Sequence, residues 1–376
     1  MRRILKNALK KSLFHGLFPL VYKWHARKPV SAKSVLFIEI RYTELTNNFQ
    51  LLFDEFHKRD GYTVATAFLG NSVYSYKQYL SECFRMLKKL ATAEIVFVDE
   101  SSNVLAALPI RPETKMIQVW HGCGAFKRFG NDILGGLEEK YYNDYTFTTV
   151  SSPHIVDVYA SSMGQRKESV LPIGISRTDV FFCEDYVSEQ RQMMRHKYEI
   201  REDKKVILYA PTFRGNVQCA VSPRLLELDE LYPVWKDEYV ILYKGHPAVK
   251  EEISIAEPYK EFFMDANEEA IEALMCAADL CITDYSSLVF EYALLERPMF
   301  FFAYDYKEYV TERGFYYDYE DFVPGPICYT EEELIQEIDG CDTDVLAHRV
   351  RAFKDRFMSA CDGNATKRIV DKAVSV

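Results

Sequence analysis

Short apolar runs rich in β-branched and aromatic residues alternate with segments of helical period along most of this chain, and few folds accept that alternation. Residues 35–40, 62–67, 94–98, 115–120, 145–150 and 169–171 read as strands, with helices over 47–58 and 75–91. The strongly charged stretch 183–204 is expected to be a helical connection. The pattern then restarts with strand-like runs at 206–209, 240–244, 261–263, 280–283 and 299–302. Unbroken apolar strands alternating with helices mark parallel sheets covered on both faces. The expected fold is therefore α/β, with two doubly wound domains facing a cleft: 34–182 first, then 205–345, with closing helices over 346–376.

Of the 376 residues, 46 are Lys or Arg and 56 are Asp or Glu, a formal charge of −10. The charge is unevenly placed. Residues 1–33 carry nine Lys or Arg and no acid, leaving the rest at 37 basic against 56 acidic residues, a net of −19. So acidic a body argues against nucleic acid as a partner. In the basic arm, Ile4, Leu5, Ala8, Leu9, Leu13, Leu17, Leu20 and Val21 fall on one side at helical spacing, with Lys6, Lys10 and Lys11 opposite. With Phe14, Phe18, Tyr22 and Trp24 nearby, residues 2–28 are expected to form a basic amphipathic helix on an anionic membrane surface. The alternative is packing on the protein's own acidic body. The apolar stretch over 13–22 is too short and broken to span a bilayer or to serve as a signal peptide. Nine cysteines without a C-x-x-C pair read as reduced core thiols of a cytosolic protein.

Chemistry-bearing residues collect where strands end, the edge at which open α/β sheets bind ligands. The stretch 278–298 is the clearest case. A strand ends on Asp284, and a helix opens on Ser286 and Ser287, offering backbone N–H groups and two hydroxyls to a phosphate. Gln118-Val-Trp-His-Gly-Cys-Gly puts His121 at a strand exit, with Gly122 and Gly124 permitting close approach and Lys127 and Arg128 following. Ile173-Gly-Ile-Ser-Arg-Thr-Asp brings Arg177 and Asp179. Tyr209-Ala-Pro-Thr-Phe-Arg brings Thr212 and Arg214, Tyr243-Lys-Gly-His-Pro brings Lys244 and His246, and a later turn brings Arg313. Singly, each is as well read as a cap, a core histidine or a solvated cation. Together they predict transfer of an activated phosphoryl group, in which cations and N–H groups hold a diphosphate while a neutral histidine takes the acceptor's proton. No P-loop or dinucleotide-binding glycine motif occurs. Asp342-Thr-Asp344 is read as a helix cap, and no acidic metal cluster is evident, so no cofactor is expected and a Mg²⁺ requirement stays open.

These motifs, in this order from about Gln118 to Tyr317, resemble the CDP-glycerol glycerophosphotransferases, the primases and polymerases of wall teichoic acid and related phosphopolyol polymers. The resemblance implies a GT-B-type fold, a peripheral place on the cytoplasmic face of the cell membrane, CDP-glycerol as donor and an undecaprenyl-diphosphate-linked saccharide as acceptor. By the same resemblance His121 would be the acceptor-side base, with Gly122, Lys127 and Arg128 beside it. His246 would contact the donor diphosphate and help CMP depart. Arg177, Thr212, Arg214, Lys244, Ser286, Ser287 and Arg313 would line the donor phosphates, with Asp179 and Asp284 in support. Two positions depart from the family pattern: Cys123-Gly-Ala-Phe126 stands where a Thr-Pro type of sequence is usual, and Glu291 stands where Asp is common. A chain of this size is expected to be primase-like rather than a polymerase. The competing readings are a CDP-ribitol or sugar-nucleotide donor on the same fold, and a non-catalytic membrane-bound nucleotide- or phosphopolymer-binding module.

Overall fold

The computed structural model describes the chain apart from residues 1–11, 134–143, 216–219, 250 and 252, with 311–313 described as backbone only. It divides into two compact units. The first runs to Asp179 and takes in Ser359–Val376; the second is Val180–Met358.

In the first unit, β1 (Ser34–Glu39), β2 (Thr63–Phe68), β3 (Ile95–Val98), β4 (Lys115–Gln118), β5 (Phe147–Thr149) and β6 (Val170–Leu171) form a parallel sheet in the order β2-β1-β3-β4-β5-β6. Period-two alternation gives each strand two buried faces. Leu36, Ile38, Val96 and Val98 point to one core, with Cys83, Met86, Leu87 and Leu90 of the helix Tyr76–Leu90. Val35, Phe37, Ile95 and Phe97 point to the other, with Phe49, Leu52 and Phe56 of the helix Asn47–His57. Phe37 and Phe97 stack there at 5.0 Å. The second core also takes Ala365, Ile369, Val370 and Ala373 of the C-terminal helix Ala365–Ser375. That helix, expected as part of a closing pair after the second domain, therefore belongs to the first unit.

The amino-terminal arm is described from Ser12 onward. Leu13–Leu17 winds as a wide π turn into the helix Phe18–His25, and Phe14, Phe18 and Tyr22 are buried in the first unit's core rather than turned to a lipid surface. Arg111 ties the helix down by donating to the carbonyls of Ala26 (2.8 Å), Lys28 (2.9 Å) and Ala91 (3.1 Å). Spacing of i, i+4, i+8 cannot tell a protein core from a bilayer. Leu17, Leu20 and Trp24 remain exposed on the other side, and the basic segment 1–11 lies outside the described residues. Among the described residues no helix is long and apolar enough to cross a membrane.

In the second unit, β7 (Lys205–Tyr209), β8 (Tyr239–Tyr243), β9 (Phe263–Asp265), β10 (Leu280–Thr283), β11 (Met299–Phe302) and β12 (Ile327–Cys328) pair in parallel in the order β12-β11-β10-β7-β8-β9. Ile207, Tyr209, Ile241, Tyr243, Ile282 and Phe300 pack against Leu231 and Trp235 of the helix Leu228–Trp235 and against Leu334 and Ile338 of the helix Glu331–Asp339. The stretch expected as a connection contains the helix Glu184–Lys197, which packs within this unit, Arg191 bonding the carbonyl of Ala277 (2.7 Å) and Asp279 (2.7 Å). Asp342 caps the helix Thr343–Phe357 by accepting from the N–H groups of Asp344 and Val345.

Candidate active-site clusters of the two units

Strand order reverses between β1 and β3 in the first sheet and between β7 and β10 in the second. Carboxyl ends diverge at such points, and crevices open there. Thr212, Arg214, Asp284, Ser286 and Ser287 stand at the second, and His121 and Arg177 reach the first through Asp99 and Asn48.

In the first unit the chain leaves β4 through Trp120, a non-glycine residue at φ +54°. That left-handed geometry costs an L-residue on the order of 1–2 kcal/mol and is held by its surroundings. Trp120 N–H donates to the Gln118 side chain at 2.8 Å, and the indole lies 4.3 Å from the His121 ring and 5.5 Å from Phe129. Buried Tyr159 donates to the carbonyls of Gly122 (3.2 Å) and Gly124 (2.9 Å), closing the loop from below. Gly124 sits at φ +61° and needs its missing side chain. The outcome is a fixed imidazole. His121 Nδ1 lies 3.1 Å from the Asp99 carbonyl, which can only accept, so Nδ1 carries the proton and Nε2 holds a lone pair. The side chain is 39% exposed. Desolvation by its walls nevertheless holds its pKa below the ordinary 6.5, against the opposing pull of Glu100, whose carboxylate is 3.7 Å from Nδ1. A neutral imidazole with an available Nε2 is what a general base requires.

Behind it lies a carboxyl pair that sequence reasoning passed over. Glu39 closes β1 and Asp99 follows β3, and both are buried. Thr46 Oγ1 lies 2.9 Å from Glu39 and 3.4 Å from Asp99, and Asn48 Nδ2 donates to Asp99 at 2.8 Å. Burial first, and the neighbouring Glu39 charge second, push Asp99 up to about 7; Glu39 is raised as well. The pair thus keeps a proton in conditions where isolated carboxylates would not. The available signal was an acid at each of two strand ends. Arg177 belongs to this cluster: it donates to Asn48 Oδ1 and, at 2.7 Å, to the His121 carbonyl. Lys127 is half-buried and Arg128 exposed further along the same loop. Asp179 accepts from the N–H groups of Ala365 (3.0 Å) and Thr366 (2.8 Å) and so caps the C-terminal helix.

In the second unit Asp284 joins the ends of β7 and β10. Its Oδ1 accepts from the N–H of Thr212 (2.8 Å) and of Tyr285 (2.6 Å), and its Oδ2 accepts from Arg214 (2.9 Å). Arg214 also grips Asp305 through Nε (2.5 Å) and Nη2 (3.0 Å) and the Thr212 carbonyl through Nη1 (2.5 Å). The rings of Tyr285, Tyr304 and Tyr309 surround its guanidinium at 5.0–5.4 Å. Arg214 is therefore committed to shaping the turn. Lys244 is similarly occupied: Nζ donates to the carbonyls of Asn267 (2.5 Å) and Glu269 (2.7 Å), and burial lowers its pKa. Asp305, at the exit of β11, is the further residue that sequence reasoning missed.

The Thr212 hydroxyl is buried with no hydrogen-bond partner. Ser287 occupies the N-cap of the short helix Leu288–Tyr292 in helical geometry and makes no side-chain cap bond; Ser286 Oγ accepts from Leu288 N–H (3.2 Å) instead. Ser287 is exposed. His246 is exposed, lies 4.6 Å from the Phe213 ring, and accepts at Nδ1 from Ala248 N–H at 3.1 Å. A backbone N–H can only donate, so neutral His246 carries its proton on Nε2 and presents a donor. In their neutral forms the two rings thus differ, Nε2 being unprotonated in His121 and protonated in His246. Arg313 ends the helix Tyr306–Arg313, and its side chain lies outside the described residues. Among the described residues no group of three His, Cys, Asp or Glu is placed to hold a metal ion.

Comparison with known proteins agrees with this architecture. The chain is similar to a teichoic acid poly(ribitol-phosphate) polymerase of Bacillus spizizenii, 37% identical over 376 residues that make up 98% of this chain and 60% of that one. It is 32% identical to a teichoic acid ribitol-phosphate primase of the same organism over 95% of both chains. With a teichoic acid glycerol-phosphate primase of Bacillus subtilis the identity is 33% over 74% of this chain and 73% of the other. This chain spans less than two thirds of the polymerase's length, and nearly all of the ribitol primase's. The solved wall teichoic acid polymerase TagF shares the two-sheet fold, with a TM-score of 0.75 at 24% identity over 99% of this chain and 95% of that one. The family profile described as CDP-glycerol:poly(glycerophosphate) glycerophosphotransferase matches residues 20–375, so the chain belongs to the family that also contains the teichoic acid primases and polymerases.

Proposed function

We propose that this protein transfers a polyol phosphate from a CDP-activated polyol to a hydroxyl of a teichoic-acid-type acceptor, releasing CMP. The observation that carries the reading is the 3.1 Å contact of His121 Nδ1 with the Asp99 carbonyl, which leaves Nε2 as the basic nitrogen of the neutral ring. The hydroxyl oxygen attacks the phosphorus bearing the polyol, the bond to the CMP oxygen breaks, and the proton passes to His121. His246, with its proton on Nε2, donates to the departing phosphate. Ser286 and Ser287 supply hydroxyls to the donor diphosphate, on a turn shaped by buried Thr212. Such a reaction depends on positioning and charge stabilisation more than on covalent help.

The donor reading shifts from glycerol toward ribitol. The relatives that align over 95% or more of this chain at 32–37% identity are ribitol-phosphate enzymes, whereas the glycerol-phosphate primase aligns over 74%. CDP-ribitol is therefore the first donor proposed and CDP-glycerol the second. A ligand that binds only the folded protein stabilises it by ~2.7 kcal/mol at a hundredfold excess over Kd. In a thermal-shift series CDP-ribitol should give the largest rise in Tm, CDP-glycerol a smaller one and UDP-sugars none. A largest shift with a UDP-sugar would remove the polyol-phosphate reading.

Peripheral membrane contact is proposed through the exposed Leu17, Leu20 and Trp24 beside Lys23, Arg27 and Lys28. Replacing those three apolar residues together by serine should cut co-sedimentation with anionic liposomes at least about fivefold without lowering Tm, since none of them is in the core. Unchanged co-sedimentation would rule this surface out.

A further inference from the structure

We propose that the cleft at the β1–β3 crossover of the first unit binds the phosphorylated polyol unit that precedes the reacting hydroxyl of the acceptor; this rests on the reaction proposed above. The cleft measures about 340 Å³, and among its walls are Arg41 after β1, Asn71 after β2, Ser101 and Asn103 after β3, and Tyr76 at the start of its helix. That volume falls at the small end of ligand pockets and suits a single small unit.

The lining selects the chemistry. Arg41, paired with the Glu100 carboxylate on the same wall, stands with the Asn71 carboxamide and the Ser101 hydroxyl, a mixed polar lining that complements a polyhydroxylated chain better than a multiply charged group. The carboxyl groups of Glu39, Asp99 and Glu100 lie around the same strand ends, so a diphosphate would meet repulsion there. A phosphodiester monoanion would meet less of it, with the exposed edge of Arg41 toward it. The acceptor polymer, rather than the nucleotide donor, matches that balance.

The cleft wall also neighbours the His121 loop. Arg41 Nε pairs with Glu100 at 2.5 Å, and Glu100 lies 3.7 Å from His121 Nδ1. With 45% of its side chain exposed, Arg41 keeps a solvent-facing edge for a second anion. The loop is built to hold this shape. Asn71 N–H donates to the Ile40 carbonyl (3.0 Å), Ser72 Oγ to the Arg41 carbonyl (2.5 Å), and Gly70, at φ +53°, has the Tyr74 ring where a Cβ would stand. Tyr76, 50% exposed, opens a helix fixed by the reciprocal Ser75–Gln78 capping box, which leaves its ring as an apolar platform for polyol carbons.

The test is calorimetric titration of soluble tri(ribitol phosphate), tri(glycerol phosphate) and the neutral polyols into the full chain and into Arg41→Gln, Asn71→Ala and Tyr76→Ala, with acceptor KM measured in parallel. Each substitution should weaken trimer binding at least about fivefold, the scale of one lost hydrogen bond or stacking contact, with donor Kd within about twofold. Arg41→Gln should also abolish the preference for phosphorylated over neutral polyol. Trimer affinity equal in wild type and all three variants, or no binding by wild type, overturns the proposal. If CMP release depends on acceptor but acceptor KM is unmoved in the variants, the subsite falls and the reaction stands. If no CDP-polyol releases CMP yet trimer binding depends on Tyr76, the reaction falls and the subsite stands.

Discussion

His121→Ala should lower polyol-phosphate transfer by at least about a thousandfold while leaving Tm within about 2 °C of wild type. Removing a positioned general base typically costs between about a hundred- and ten-thousandfold, and the ring sits on the exposed side of its loop, with 39% of the side chain accessible. The pH profile carries the same claim. Desolvation disfavours the imidazolium form, so the folded pKa lies below 6.5 and the basic form persists into mildly acidic solution. The acid limb of kcat/KM should therefore fall below pH 6.5. Glu100 works against the depression, so Glu100→Gln should move that limb lower still. Full activity in the alanine variant, or a limb centred above 6.5, would dismiss His121 as the base.

Arg214→Met should destabilise the second unit by about 3–5 kcal/mol, because removing one partner of a buried ion pair strands the others. Here two carboxylates are stranded, Asp284 at 2.9 Å and Asp305 at 2.5 Å. For a unit of this size the loss corresponds to on the order of 10 °C in Tm, readable by calorimetry or urea melts. Adding Asp284→Asn and Asp305→Asn should recover much of it, since no uncompensated charge then remains. Had the resemblance-based role been the main one, the methionine variant would keep its Tm and lose donor affinity tenfold. That result would return Arg214 to the phosphate site.

The contrast shows what a linear sequence displays. Strands β1, β7, β10 and β11 were legible because doubly covered parallel strands are unbroken apolar runs. β12 was not, since Ile327–Cys328 is two residues long and carries no period. β9 was placed two residues early, because the apolar pair at 262–263 lies at its start. Site residues were legible as types at strand ends, but their partners were not. Arg214 lies 70 and 91 residues from the carboxylates that occupy it, and no local spacing reveals that. Lys244 likewise shows a cation after a strand but not the two carbonyls it serves. For Phe14, Phe18 and Tyr22 the helical spacing marks one apolar face but not what covers it.

The C-terminal helix has a consequence for how the molecule comes into being. Its Ala365, Ile369, Val370 and Ala373 fill a core whose other members were laid down between Val35 and Phe147. The second unit, Val180–Met358, is one uninterrupted segment between those two contributions. During vectorial synthesis from the ribosome the second unit therefore has all its residues before the first does. The lobe that carries His121 stays without one wall of its core until the helix Ala365–Ser375 emerges. The unit whose residues begin first is thus the one completed last.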